Sequence, residues 1–122
     1  MYGADTILCA CSAYDKKYYL NPDFEGLPDP VKDELKIMCV MYTEEAGGIL
    51  TLVFDDDGNL MFQVVRDEGD ILFDEISSGL KVKQMQKEKR ELLMSIELYY
   101  RAFFLDEDIS QYVSGTEELW ED

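Results

Sequence analysis

Histidine is absent from the 122 residues. That removes the commonest general base, the commonest metal ligand and any Ser–His or Cys–His nucleophile pair. Positive charge is scarce: 11 Lys+Arg stand against 27 Asp+Glu, a net charge of −16 at pH 7. A surface of that sign does not grip phosphate backbones or anionic lipid, so neither direct nucleic-acid binding nor a membrane is expected. No apolar run approaches the roughly eighteen residues that a membrane span needs. Met1 is followed by neither a basic stretch nor a hydrophobic segment, so no secretory signal is expected. The three cysteines are an odd number in such a chain and point to a reducing compartment, the cytoplasm. Only three prolines occur, Pro22, Pro28 and Pro30, all within one short stretch.

What is present is enough to fold. With 47% hydrophobic and 12% aromatic residues, the chain can bury a core despite its charge. The length suits one domain, expected over residues 1–105. Residues 106–122 then form an acidic tail, with seven carboxylates and no base, and with Trp120 as its one docking handle.

Apolar spacing predicts an α+β fold, mainly helical, in the order α-α-β-β-α. Ile7, Cys11, Tyr14 and Tyr18 share one helical face over residues 5–20, with Asp5 as N-cap and Pro22 as stop, although Thr6 to Cys11 also reads as a short strand. The helix is preferred. A second helix should begin at Asp29, with Pro30 where its missing N–H costs nothing, and end at Gly47-Gly48. Ile49–Phe54 and Leu60–Val65 flank Asp55-Asp56-Asp57-Gly58-Asn59, an antiparallel hairpin signature. Neither face of that hairpin is cleanly polar and a two-stranded hairpin is not stable alone, so the second face calls for more chain or for a second subunit, a homodimer. Residues 70–105 read as one long helix against which the hairpin packs, with Leu72, Ile76 and Leu80 starting its apolar stripe. It would run about 50 Å, so it should break near Ser77-Ser78-Gly79 or project at its basic middle, residues 81–90. The acidic tail is a candidate to lie over that basic stretch.

No constellation indicates chemistry. Cys9, Cys11 and Cys39 lack the spacing and the fourth ligand of a closed zinc site, and are expected to be buried small hydrophobes. The aspartate run resembles a calcium loop superficially, but Val53 and Val64 stand where ligands are required, leaving a turn. Paired carboxylates abound without a cleft to separate their pKa values. No enzyme activity, cofactor or metal is therefore expected. Tyrosine is over-used, and ring plus hydroxyl suits a half-buried rim or an interface. Adjacent pairs Tyr18-Tyr19 and Tyr99-Tyr100 cannot both face inward, which makes Tyr18, Tyr100 and Trp120 the candidate partner-binding residues.

Gly26-Leu27-Pro28, the 35–40 run, Gly47-Gly48-Ile49-Leu50-Thr51-Leu52, the aspartate turn and Tyr99-Tyr100-Arg101-Ala102-Phe103-Phe104 together cover most of the chain. In them the sequence resembles an uncharacterised family of small acidic proteins of unknown function from anaerobic Gram-positive gut bacteria. The resemblance implies a bacterial cytoplasmic source and carries no site residues.

The leading functional expectation is a non-enzymatic protein–protein interaction module, homodimeric, whose acidity selects a basic partner. The alternatives are a DNA-mimic inhibitor of a nucleic-acid-binding protein and a small ligand-binding domain. Lys81 to Arg90 interrupt the continuous negative face that mimicry requires.

Overall fold

A computed structural model of the chain describes residues 5–106. The fold is α+β, a four-stranded antiparallel sheet with three helices, in the order β-β-α-β-β-α-α. Strand β1 is Thr6–Ser12 and β2 is Lys17–Leu20, followed by a 3-10 turn, Pro22–Phe24, and helix α1, Asp29–Ala46. Strands β3 (Ile49–Phe54) and β4 (Leu60–Val65) form the expected hairpin; helices α2 (Glu75–Glu88) and α3 (Arg90–Phe103) close the chain.

The expected first helix is instead the β1–β2 hairpin. The helical spacing of Ile7, Cys11, Tyr14 and Tyr18 is coincidental, because Tyr14 stands in the turn and Cys11 faces Tyr18 across the ladder. Asn21 ends the hairpin with its side chain as well as its backbone. Its Nδ2 donates to the Ile7 carbonyl at 2.7 Å and its backbone N–H to the Leu8 carbonyl at 2.9 Å.

The sheet runs β2-β1-β3-β4. Thus β1 takes the free edge of β3 that a lone hairpin would leave open. The register slips between Ile7 and Cys9, a bulge that turns both Leu8 and Cys9 inward while Ile7 stays out. On the inner face Cys9 and Cys11 oppose Leu52 and Leu50, which in turn oppose Phe62 and Val64. Leu35, Met38, Cys39 and Tyr42 of α1 and Leu92, Leu93, Ile96 and Tyr100 of α3 close over these residues to make the core. The chain also clasps α3 to the β3–β4 turn: Glu97 Oε2 accepts from the Leu60 N–H at 2.7 Å, and Arg101 Nη2 donates to Asn59 Oδ1 at 2.8 Å.

Residues 70–105 are two helices with a preceding loop. The break falls at Lys89 (φ −107°, ψ 26°), away from Ser77-Ser78-Gly79, which lies inside α2. The basic middle does not project. Lys81 reaches Glu45 at 3.1 Å and Lys89 reaches Glu34 at 3.3 Å, both on α1. Each exposed pair is worth at most about 1 kcal/mol, so burial of Ser78 and Met85 does most to hold α2. The acidic tail beyond Asp106, Trp120 included, lies outside the described residues.

Candidate functional site

The 66–74 loop and the start of α2 carry the three most exposed large apolar side chains among the described residues, Leu72, Ile71 and Ile76. The loop is held from three directions. Arg66 Nη1 donates to the Asp70 carbonyl at 3.1 Å. Tyr14, in the β1–β2 turn, donates its hydroxyl to Asp70 Oδ2 at 2.6 Å and accepts from the Asp67 N–H at 3.1 Å. That hydrogen bond to the carboxylate, reinforced by the negative charge, raises the Tyr14 pKa above its ordinary value. Asp74 then caps α2, its Oδ1 accepting from the N–H groups of Ile76 and Ser77, each at 3.1 Å.

Phe73 is the loop's inward anchor. Its ring sits over Gly47 and Gly48, so close that a β-carbon on Gly48 would stand 2.9 Å from Phe73 Cε1. With Phe73 turned in, its neighbours are turned out. Ile71 is 87% exposed, Leu72 89%, Ile76 78% and Leu80 62%. These four form an apolar ridge, which overturns the expectation that Leu72, Ile76 and Leu80 begin a core stripe. The reason lies on the opposite side of α2, where Ser78 is buried against the Tyr42 hydroxyl. A large ring on α1 needs a small partner on α2, so the small face of α2 goes in and its branched face goes out. The signal was present in Ser77-Ser78-Gly79, which allows a close helix contact.

Acids border one end of the ridge (Asp67, Glu68, Asp70, Asp74, Glu75), and Lys81 and Lys83 border the other. A surface with that chemistry can bind an apolar face carrying basic residues; it presents no nucleophile–base pair.

The structure scatters the residues singled out by sequence. Tyr100 is a core residue, 6% exposed, stacked against Phe54, and offers no ring to a partner. Tyr19 and not Tyr18 is the open member of its pair, at 52%. Tyr18 is half-buried; its hydroxyl is enclosed without a hydrogen-bond partner among the described residues, and burial beside the Cys9 and Cys39 thiols pushes its pKa up.

The three thiols are free and buried. Cys9 and Cys39 lie 3.8 Å apart, sulfur to sulfur, whereas Cys11 turns to Thr43 Oγ1 at 3.3 Å. Among the described residues no three cysteine or carboxylate groups come together to hold a metal ion. No helix among them is long and apolar enough to cross a membrane.

Residues 5–108 match the sequence profile of a family of unknown function, DUF6145. No curated protein and no solved structure matches the chain.

Proposed function

The chain belongs to that family, which comes without an assigned activity, and we propose from its surface that it is a non-enzymatic protein-interaction module. The 71–80 ridge is its docking surface. The observation that carries this reading is the exposure of Ile71, Leu72, Ile76 and Leu80 on a loop and helix end that are otherwise firmly tied down. Monomeric proteins rarely leave contiguous apolar side chains in water without a partner to cover them. A rigid support also spares the partner the cost of ordering the loop.

The partner is a protein segment with an apolar face and flanking basic residues, which meet Asp67, Glu68 and Asp70. The chain's −16 charge favours encounter with such a segment and disfavours a second copy of itself. A homodimer through the same ridge is the competing occupant. The free buried thiols suit a reducing cytoplasm.

The test is a titration of the isotope-labelled full chain with a synthetic leucine–lysine amphipathic helix, read by amide shifts and sedimentation. Shifts centred on residues 71–80 and weakened by salt support the proposal. Shifts spread evenly over the acidic surface overturn it, as does a dimer that already covers the ridge.

A further inference from the structure

A second feature stands apart from the ridge. Between the β1–β2 hairpin and α1 lies a recess of about 670 Å³, within the range of small-molecule sites. Lys16 and Lys17 line it from the hairpin and Lys36 from α1, with Glu44 as the one carboxylate among the lining residues. The local balance is therefore positive on a chain whose net charge is −16. None of the three lysines has a carboxylate within ion-pair distance among the described residues, whereas Lys32, Arg66, Lys81 and Lys89 do. Acids are the commonest charged groups in this chain, so three lysines lining one concavity, none of them ion-paired among the described residues, are an anomaly.

Two further observations give the recess a direction. Its wall is apolar, made by Val40, Cys11 and the ring of Tyr18, with the Lys36 Nζ 6.0 Å from that ring's centroid. Lys16 also adopts φ 54°, a left-handed conformation that glycine or asparagine would take more cheaply. A non-glycine residue in that conformation carries a standing cost of about 1–3 kcal/mol. The chain's long-range negative field does not cancel this local one. At physiological salt, charges beyond about 8 Å are screened.

We propose that this recess binds a small organic anion. The three lysine ammonium groups hold its carboxylate or phosphate head, and its apolar body lies against Tyr18 and Val40. The two head groups share one recognition chemistry, charge-assisted hydrogen bonds from ammonium donors.

The test is a titration of the full chain with sodium octanoate and with octyl phosphate, followed by amide shifts and calorimetry. 1-Octanol and inorganic phosphate serve as the partial ligands. Expected are saturable shifts at Lys16, Lys17, Tyr18, Lys36 and Val40. The tighter of the two amphiphiles identifies the head group. Binding of octanol or of inorganic phosphate should be at least about tenfold weaker, a difference of about 1.4 kcal/mol. The exposed double variant Lys17→Glu/Lys36→Glu should lose at least as much while keeping its melting temperature. Lys16→Gly should weaken binding and raise the melting temperature together, because it releases the strained backbone. Octanol binding as tightly as octanoate overturns the anion, and phosphate binding as tightly as octyl phosphate overturns the apolar body. Unchanged binding in the double variant overturns the site.

Discussion

Tyr100 lies flat against Phe54, with ring centroids 4.0 Å apart and planes 4° from parallel. Phe24 stacks on both, 5.6 Å from Phe54 and 6.2 Å from Tyr100. One aromatic stack therefore ties α3 and the central strand β3 to the 3-10 turn. Replacing fully buried Phe24 by alanine is expected to cost about 3–5 kcal/mol. Tyr100→Phe keeps the ring and gives up only the hydroxyl's 3.0 Å bond to Thr6 Oγ1, so it should cost about 1 kcal/mol. Urea titration measures both. A Phe24→Ala loss no larger than that of Tyr100→Phe would show that the stack does not hold these elements together.

Gly48 is expected to tolerate no side chain. It adopts φ +77°, and a β-carbon there would stand 2.9 Å from the Val65 carbonyl oxygen as well as from the Phe73 ring. A backbone oxygen in a paired strand cannot swing away as a side-chain tip can. Gly48→Ala should therefore lose at least about 1–3 kcal/mol from the left-handed conformation alone. It should also loosen Phe73, seen as faster amide exchange through the 66–74 loop. Unchanged exchange there would mean that Phe73 does not anchor the loop.

Much of the fold was legible where its causes are local. Pro30 after Asp29, Gly47-Gly48, and the Asp-rich turn with Gly58 each act within a few residues, and α1, β3 and β4 stand where those signals place them. The N-terminal hairpin was not legible, because what decides it is distant: Thr6 pairs with Phe54 and Ser12 with Ile49. Apolar residues spaced by four, three and four positions look the same whether or not such a partner waits downstream. The break at Lys89 carries no glycine or proline, and its φ and ψ are open to any residue. For the candidate site, the spacing of Leu72, Ile76 and Leu80 reads as an inward stripe, and it does not single out Ile71. Periodicity shows that a stripe exists; which stripe is buried depends on the facing helix, here on Tyr42 seeking Ser78.

The ridge residues should be replaceable without loss of stability. The triple variant Leu72→Ser/Ile76→Ser/Leu80→Ser removes side chains that are mostly in water, so each change should stay within about 0.5 kcal/mol. Binding of the amphipathic peptide should nonetheless be lost. Thermal unfolding and the peptide titration together check this, and a cooperative loss of several kcal/mol would place these residues in the core.

The contact between Tyr14 and Asp70 should fade in alkali. Its pKa is raised in the folded chain, first by donating to Asp70 and then by burial. The stabilisation is thus complete below the ordinary tyrosine value of 10.0 and is lost as pH rises through the higher folded value. Exchange of the Asp67 amide should quicken over that range in the wild type. Tyr14→Phe should show the faster rate at every pH. Equal rates in the two proteins near neutrality would show that this contact does not restrain the loop.

The thiols should be inert in the native protein. Contact with the Cys9 thiol, followed by burial, pushes the Cys39 pKa well above the usual thiol range, and thiolate is the reactive form. Ellman's reagent at pH 8 should label none of the three cysteines until denaturant is added. One equivalent of rapid labelling in the folded protein would contradict their enclosure.

The position of β1 has a consequence for how the chain reaches this state during synthesis. Strand β1 is an interior strand of the finished sheet, yet its inner neighbour β3 is made only after β2 and all of α1. Until then β1 has β2 as its single paired neighbour, and a hairpin alone is marginal in water. Closing so long an interval is an entropic toll on the folding rate. For the nascent chain the interval is also one of exposure, with one edge of β1 left unpaired, and the sheet becomes cooperative only once β3 arrives to zip against that edge.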